Sequence, residues 1–188
     1  MTEGERGGRE ELERLRRELG CDLAIAGLAL AGGGLRWRVA SGAVSERYRI
    51  MAERPGRGLA GTVLKVGRPM TLQAAELRAG RQLQDYPLLI AEGICSAYAV
   101  PLLASGRPRG VLLVGCRGPK AFSAADRSAA EAGARRLEAM LEERSVRGRG
   151  SDLEPDLGSD RGSDRGGGRE PHASGIAAPP SEPRSGQL

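Results

Sequence analysis

Aromatic side chains are scarce in this chain of 188 residues, which has one Trp, one Phe and three Tyr. Its core must therefore be built from Leu, Val, Ile and Ala. Histidine is scarcer still: the single one, His172, falls in a polar C-terminal stretch. The folded part thus lacks any Ser/His or Cys/His nucleophilic pair and any histidine to ligate haem or zinc. The three cysteines, Cys21, Cys95 and Cys116, are odd in number and have no paired spacing. They point to a reducing cytoplasm and away from a disulfide framework; the three could meet in space, but buried structural thiols at strand ends are the commoner reading. No apolar run nears the ~20 residues of a membrane span, and no signal-peptide pattern opens the chain.

Lysine is almost missing too. Lys65 and Lys120 are the only two among 29 basic residues, and the arginines are scattered among Glu and Asp. That is the mark of GC-rich coding rather than of a nucleic-acid surface. The formal charge of +5 favours a small anion by long-range attraction, modestly and less so in salt.

What is present is enough for one domain and a tail. Residues 1–8 are polar and expected to fray. Leu12, Leu15 and Leu19 fall at helical spacing over 9–19, with Gly20 as the stop. Two strands follow, 23–30 and 35–41, joined by the glycines at 32–34. In the second, Leu35, Trp37 and Val39 are expected on one face and Arg36 and Arg38 on the other. A short helix is expected over 45–52, with Ser45 as its cap. Strands are expected again at 70–72, 96–103 and 109–116. Pro101 points to an edge or a bulge. Between them, 73–92 shows no long regular pattern, and a loop of that length with apolar residues usually covers something. Ser123 caps a last helix to about Arg144, with Asp126 in the capping-box position and Ala130, Ala134, Leu137 and Leu141 as apolar positions. From Val146 the composition turns to Gly, Ser, Asp, Arg, Glu and Pro, with G-S-D-R repeated at 158–161 and 162–165. That stretch has almost nothing to bury and reads as disordered. The folded part is therefore 9–145 and the tail 146–188, and the class is α+β.

The chain is organised around R-P-G-R-G-L-A-G-T-V-L-K-V-G-R-P, Arg54 to Pro69. Pro55, Gly56 and Gly58 make a turn that few other residues could follow. A short helix from Leu59 to Val66 then ends at Gly67, and Pro69 bars continuation. Glycines ahead of a helix let something small reach its unpaired first N–H groups, where an anion is the natural guest. Taken alone, such a turn more often just delivers a packing helix.

S-A-Y-A-V-P-L-L, a glycine hairpin, G-V-L-L-V-G and a long amphipathic helix, preceded by P-G-x-G-L-A-G, resemble a GAF domain over nearly the whole folded part. The resemblance implies a GAF-like antiparallel sheet with terminal helices on one face, which often pair between subunits, and a small-ligand pocket on the other. L-R-W-R-V-A-S-G-A-V-S-E-R-Y-R, the glycine turn with its helix, and D-Y-P-L-L-I-A-E are more specifically similar to the stand-alone nitrate receptors of the NreA type, which act with an oxygen-sensing histidine kinase. That resemblance implies nitrate held by Trp37, by Leu59 and Ala60, and by Tyr86, Pro87 and Leu88. It implies neither a cofactor nor a metal. The disordered tail has no counterpart in it.

The residues agree with this chemically. Nitrate is flat, monovalent and weakly hydrated, so it needs no full counter-charge. Backbone N–H groups at Leu59 and Ala60 would donate charge-assisted bonds of roughly 1.5–3 kcal/mol each, enough for micromolar-range affinity. Trp37, Pro87 and Leu88 would form walls. Each has a plainer reading: Trp37 as core, Tyr86 as a loop anchor. The expected function is a cytoplasmic nitrate sensor that acts on a sensor histidine kinase by contact, pairs with itself through its terminal helices, and engages neither nucleic acid nor membrane. Other readings are a GAF domain for another small ligand or a dimerising scaffold, and a free methionine sulfoxide reductase. The last is disfavoured because Ala60 stands where such a reductase carries a cysteine, and no C-D pair precedes it. No catalytic residues are expected.

Overall fold

The computed structural model describes residues 3–149. The element order is α1 (Glu3–Leu19), β1 (Leu23–Ala29), β2 (Leu35–Ser41), a 3₁₀ helix (Glu46–Ile50), β3 (Ala52–Glu53), α2 (Gly58–Val66) and β4 (Met70–Gln73). There follow α3 (Ala74–Ala79), a 3₁₀ turn (Leu83–Asp85), α4 (Pro87–Glu92), β5 (Ser96–Ala104), β6 (Arg107–Cys116) and α5 (Ala124–Arg149). The strands form one antiparallel sheet in the order β3-β2-β1-β6-β5-β4. The architecture is α+β, as expected.

Both faces of the central strands are covered, so β1 and β6 read as nearly continuous apolar runs rather than as alternations. On one face Leu12, Leu15 and Leu19 of α1 and Ala130, Ala134 and Leu137 of α5 pack with Ala24, Ala26, Tyr98, Val100, Leu112 and Val114. The two terminal helices thus lie on one side of the sheet. On the other, Leu23, Ile25, Ala97, Ala99, Val111 and Leu113 pack against α2 and α4. Ser123 caps α5 in a capping box: its Oγ accepts from the Asp126 N–H at 3.1 Å, and Asp126 Oδ2 accepts from the Ser123 N–H at 2.8 Å.

Several expectations need correction. α1 begins at Glu3, not Arg9, so described residues 3–8 are helical rather than frayed. The helix expected over 45–52 is a 3₁₀ helix that ends at Ile50, after which the chain extends into β3 beside β2. The irregular segment 73–92 is built of α3, a 3₁₀ turn and α4, each too short to show a helical period. Val39 does not share the face of Trp37. The register of β1 and β2 slips between Ala26 and Gly27, opposite Trp37 and Val39, and this bulge turns Val39 towards the terminal helices while Ala40 joins the opposite core. Pro101 lies just past the last β4 partner, Ala99, so its missing N–H costs no ladder bond on that side. α5 runs on to Arg149, past the expected tail boundary at 146; the rest of that tail lies outside the described residues.

Candidate functional site

The Arg54–Pro69 stretch folds as its glycines require. Gly58 adopts φ +64° and opens α2, and Gly67 closes it in the left-handed region at φ +70°. Gly61 answers a different demand: a Cβ there would lie 2.3 Å from the Arg54 carbonyl oxygen. The turn is thereby folded tightly onto the helix start, and the Gly56 N–H donates to the Gly61 carbonyl at 3.1 Å. Arg57 holds the N-cap position without a side-chain capping bond, and no acidic residue lies in the first turn. The N–H groups of Gly58, Leu59 and Ala60 have no intrahelical acceptor, as at any helix start.

Trp37 projects from β2 into the same core and is 1% exposed. Its indole Nε1 has no hydrogen-bond partner, and it alone among the described buried side-chain nitrogens and oxygens is left so. A buried N–H without an acceptor is costly and calls for an explanation. Leu59, Ala60 and Leu88 are buried in that cluster, and half-buried Tyr86 packs against it. Pro87 is exposed at the first position of α4. The fold therefore brings five of the six expected residues to one cluster and sets Pro87 at its outer edge.

One residue that sequence reasoning missed stands in the middle of this arrangement. Glu53, from β3, is buried at 9% exposure. Its Oε2 occupies the space that a side chain at position 58 would need, 2.4 Å from an ideal Cβ. Burial pushes its carboxyl up to about 7, opposed by the Trp37 indole and by the Gly61 N–H, which favour the ionised form. The indole is close enough to exert that pull yet does not meet hydrogen-bond geometry with the carboxylate. Burial also raises the Tyr86 phenol, assisted by the negative charges of Asp85 and Glu53. Beside Glu53 lies an open recess of about 190 Å³, lined among others by Arg54, Arg57, Gln84, Asp85 and Pro87. Of the six expected residues Pro87 alone lines it. The corner is thus a shallow recess with a carboxyl at its inner wall, not a closed chamber. Glu53 directly precedes the Arg-Pro-Gly turn at the end of an extended stretch, the one sequence signal that could have placed it there.

Arg117 clasps the outer end of this layer. It donates to the carbonyls of Glu92 at 3.1 Å and Gly42 at 2.9 Å, while the Glu92 carboxylate accepts from the Val44 N–H at 2.7 Å. These bonds tie α4 to the segment after β2. Among the described residues no group of three or more His, Cys, Asp or Glu could hold a metal ion, and no helix is long and apolar enough to cross a membrane.

A curled antiparallel sheet with paired terminal helices on one face and short helices on the other is the architecture of a GAF domain. The chain belongs to that family, which matches residues 9–142. It is related in particular to the NreA type. It is similar to a Staphylococcus aureus NreA protein mutated in its nitrate binding site, with 33% identity over 63% of this chain and 91% of that one, and a TM-score of 0.56. The fold is shared with the GAF domain of a Coxiella burnetii phosphoenolpyruvate-protein phosphotransferase, at 18% identity, 79% and 88% coverage and a TM-score of 0.66. It is shared as well with the free methionine-R-sulfoxide reductase of Neisseria meningitidis, at 19% identity, 78% and 83% coverage and a TM-score of 0.63. No curated protein matches the chain.

Proposed function

We propose that this protein is a cytoplasmic nitrate receptor that binds the anion between Trp37 and the first turn of α2 and modulates a sensor histidine kinase by contact. The observation that carries the reading is the Trp37 indole N–H, buried without an acceptor near a helix start whose N-cap residue, Arg57, makes no side-chain capping bond. Three coplanar oxygens can each accept from a different donor, here the Trp37 indole and the Leu59 and Ala60 backbone N–H groups, whose residues share one cluster. Pro87 lines the recess, with Tyr86 and Leu88 beside it in the chain and packed in the core, and exposed Arg54 and Arg57 at the recess draw an anion in without neutralising it. The S. aureus protein of related sequence carries a nitrate binding site, which supports the choice of anion.

Calorimetry with nitrate, nitrite, chloride and iodide tests the reading. Nitrate is expected to bind best, in the micromolar range, and Ala60→Pro to abolish binding by deleting a donor. Equal or absent heats for all four anions would overturn it. The output is tested by titrating kinase autophosphorylation with this protein, with and without nitrate.

A further inference from the structure

Three carboxyls are buried among the described residues, and two of them have an arginine beside them. Glu11, 7% exposed, binds Arg14 and Arg136, each at 2.7 Å. Glu92, 2% exposed, accepts from the Val44 N–H at 2.7 Å and has Arg117 at 3.7 Å. Glu53 forms no salt bridge with any described residue. Arg54 and Arg57 flank it from its own turn and from the N-cap of α2 but stay exposed. From the 3₁₀ turn and the start of α4 it faces Asp85 and Tyr86, which add no positive charge. From β2 it faces the neutral indole of Trp37, while exposed Arg36 and Arg38 alternate away.

One donor that favours the ionised Glu53, the Trp37 indole, is also one that an incoming anion needs; the other, the Gly61 N–H, lies in the same first turn of α2 as the Leu59 and Ala60 N–H groups. A carboxylate and a nitrate at this corner would compete for hydrogens and repel each other in a partly desolvated place. A protonated carboxyl does the opposite: it carries no charge to repel the anion, leaves the indole N–H to it and offers an O–H of its own.

We propose that Glu53 determines what this site accepts, by taking up one proton from solvent as the anion enters, so that the bound species is an anion hydrogen-bonded to a neutral carboxylic acid. The proposal rests on the nitrate-receptor reading. It makes the site selective for weakly basic oxyanions, which leave that proton on the glutamate. Because burial pushes the Glu53 carboxyl up to about 7, the binding-competent fraction falls through the physiological range. Apparent affinity should drop about tenfold between pH 6 and pH 8.

The test is nitrate calorimetry on the full chain at pH 6, 7 and 8, in buffers of different ionisation enthalpy, for the wild type and for Glu53→Gln. The wild type is expected to weaken about tenfold and to take up close to one proton per nitrate at pH 8. Glu53→Gln, a neutral donor of the same shape, should show neither effect and should bind at pH 8 at least as tightly as the wild type. Both proteins carry His172, so its titration cancels. Wild-type binding with no pH dependence and no proton uptake overturns the proposal, as does an unchanged pH dependence in Glu53→Gln; both leave the receptor reading standing. Should Glu53→Gln fold yet fail to bind, the wild-type proton count decides. Absence of nitrate binding by the wild type at every pH defeats the receptor reading and this inference with it.

Discussion

Gly58 and Glu53 occupy a single space: a Cβ on Gly58 would sit 2.4 Å from Glu53 Oε2 and 3.4 Å from the Asp85 carbonyl oxygen. The glycine thus admits the carboxyl to the start of α2 and also supplies the positive φ of the turn. Gly58→Ala should cost about 1–3 kcal/mol from backbone strain alone, with displacement of Glu53 in addition. Chemical denaturation measures the loss, and a change below a few tenths of a kcal/mol would contradict this packing.

Trp37→Phe keeps an aromatic ring and deletes the N–H. Since Nε1 has no hydrogen-bond partner among the described residues, its removal should leave the melting temperature within a few degrees of wild type or raise it. Nitrate affinity should fall about tenfold or more, the worth of one charge-assisted hydrogen bond. Calorimetry beside a thermal melt separates the two effects; a large loss of stability with unchanged affinity would make the indole plain core.

Glu53 also leaves a signature in stability. Its folded value of about 7 lies above the ordinary 4.5, because burial disfavours the charge. Between those values the unfolded chain releases the proton and the folded one keeps it, so the group's contribution falls as pH rises from about 4.5 and levels off above about 7. Glu53→Gln removes that slope. Its stability relative to wild type should therefore increase across the window, by at most about 3 kcal/mol, as read by denaturant titrations at pH 5 and 8.

Cys21 and Cys116 are buried with their sulfurs 3.2 Å apart, and burial pushes the Cys21 thiol up to about 12, assisted by Cys116. Cys95 is half-buried. A thiol reagent at pH 8 should modify about one cysteine per native chain and all three after denaturation. Rapid reaction of three thiols in the native protein would refute the arrangement.

The local grammar of the chain was legible without coordinates. Gly67 ended α2, Ser123 and Asp126 started α5, and the glycine hairpins joined strands as read, because caps and turns depend on residues only a few positions apart. The face of Trp37 was legible from period-two alternation, and the cluster of Trp37, Leu59, Ala60, Tyr86 and Leu88 was reached through the resemblance. Val39 was misplaced because a bulge depends on the partner strand, which β2 does not encode by itself. The helices within 73–92 were missed because each is held by packing on the sheet rather than by a periodic stripe of its own.

Glu53 marks the limit most clearly. In sequence it is one acidic residue among many, beside a glycine turn. Only the pairing of Ala52–Glu53 with β2, together with the fold of Gly58 and Gly61 over it, buries that carboxyl against an indole and a helix start. The sequence by itself determined where the chain turns, which stretches extend or coil, and that glycines fold a tight turn onto the start of α2. Tertiary structure decided that an ionisable side chain shares that corner, since burial and charge environment arise from segments distant along the chain and are properties of no single stretch of it.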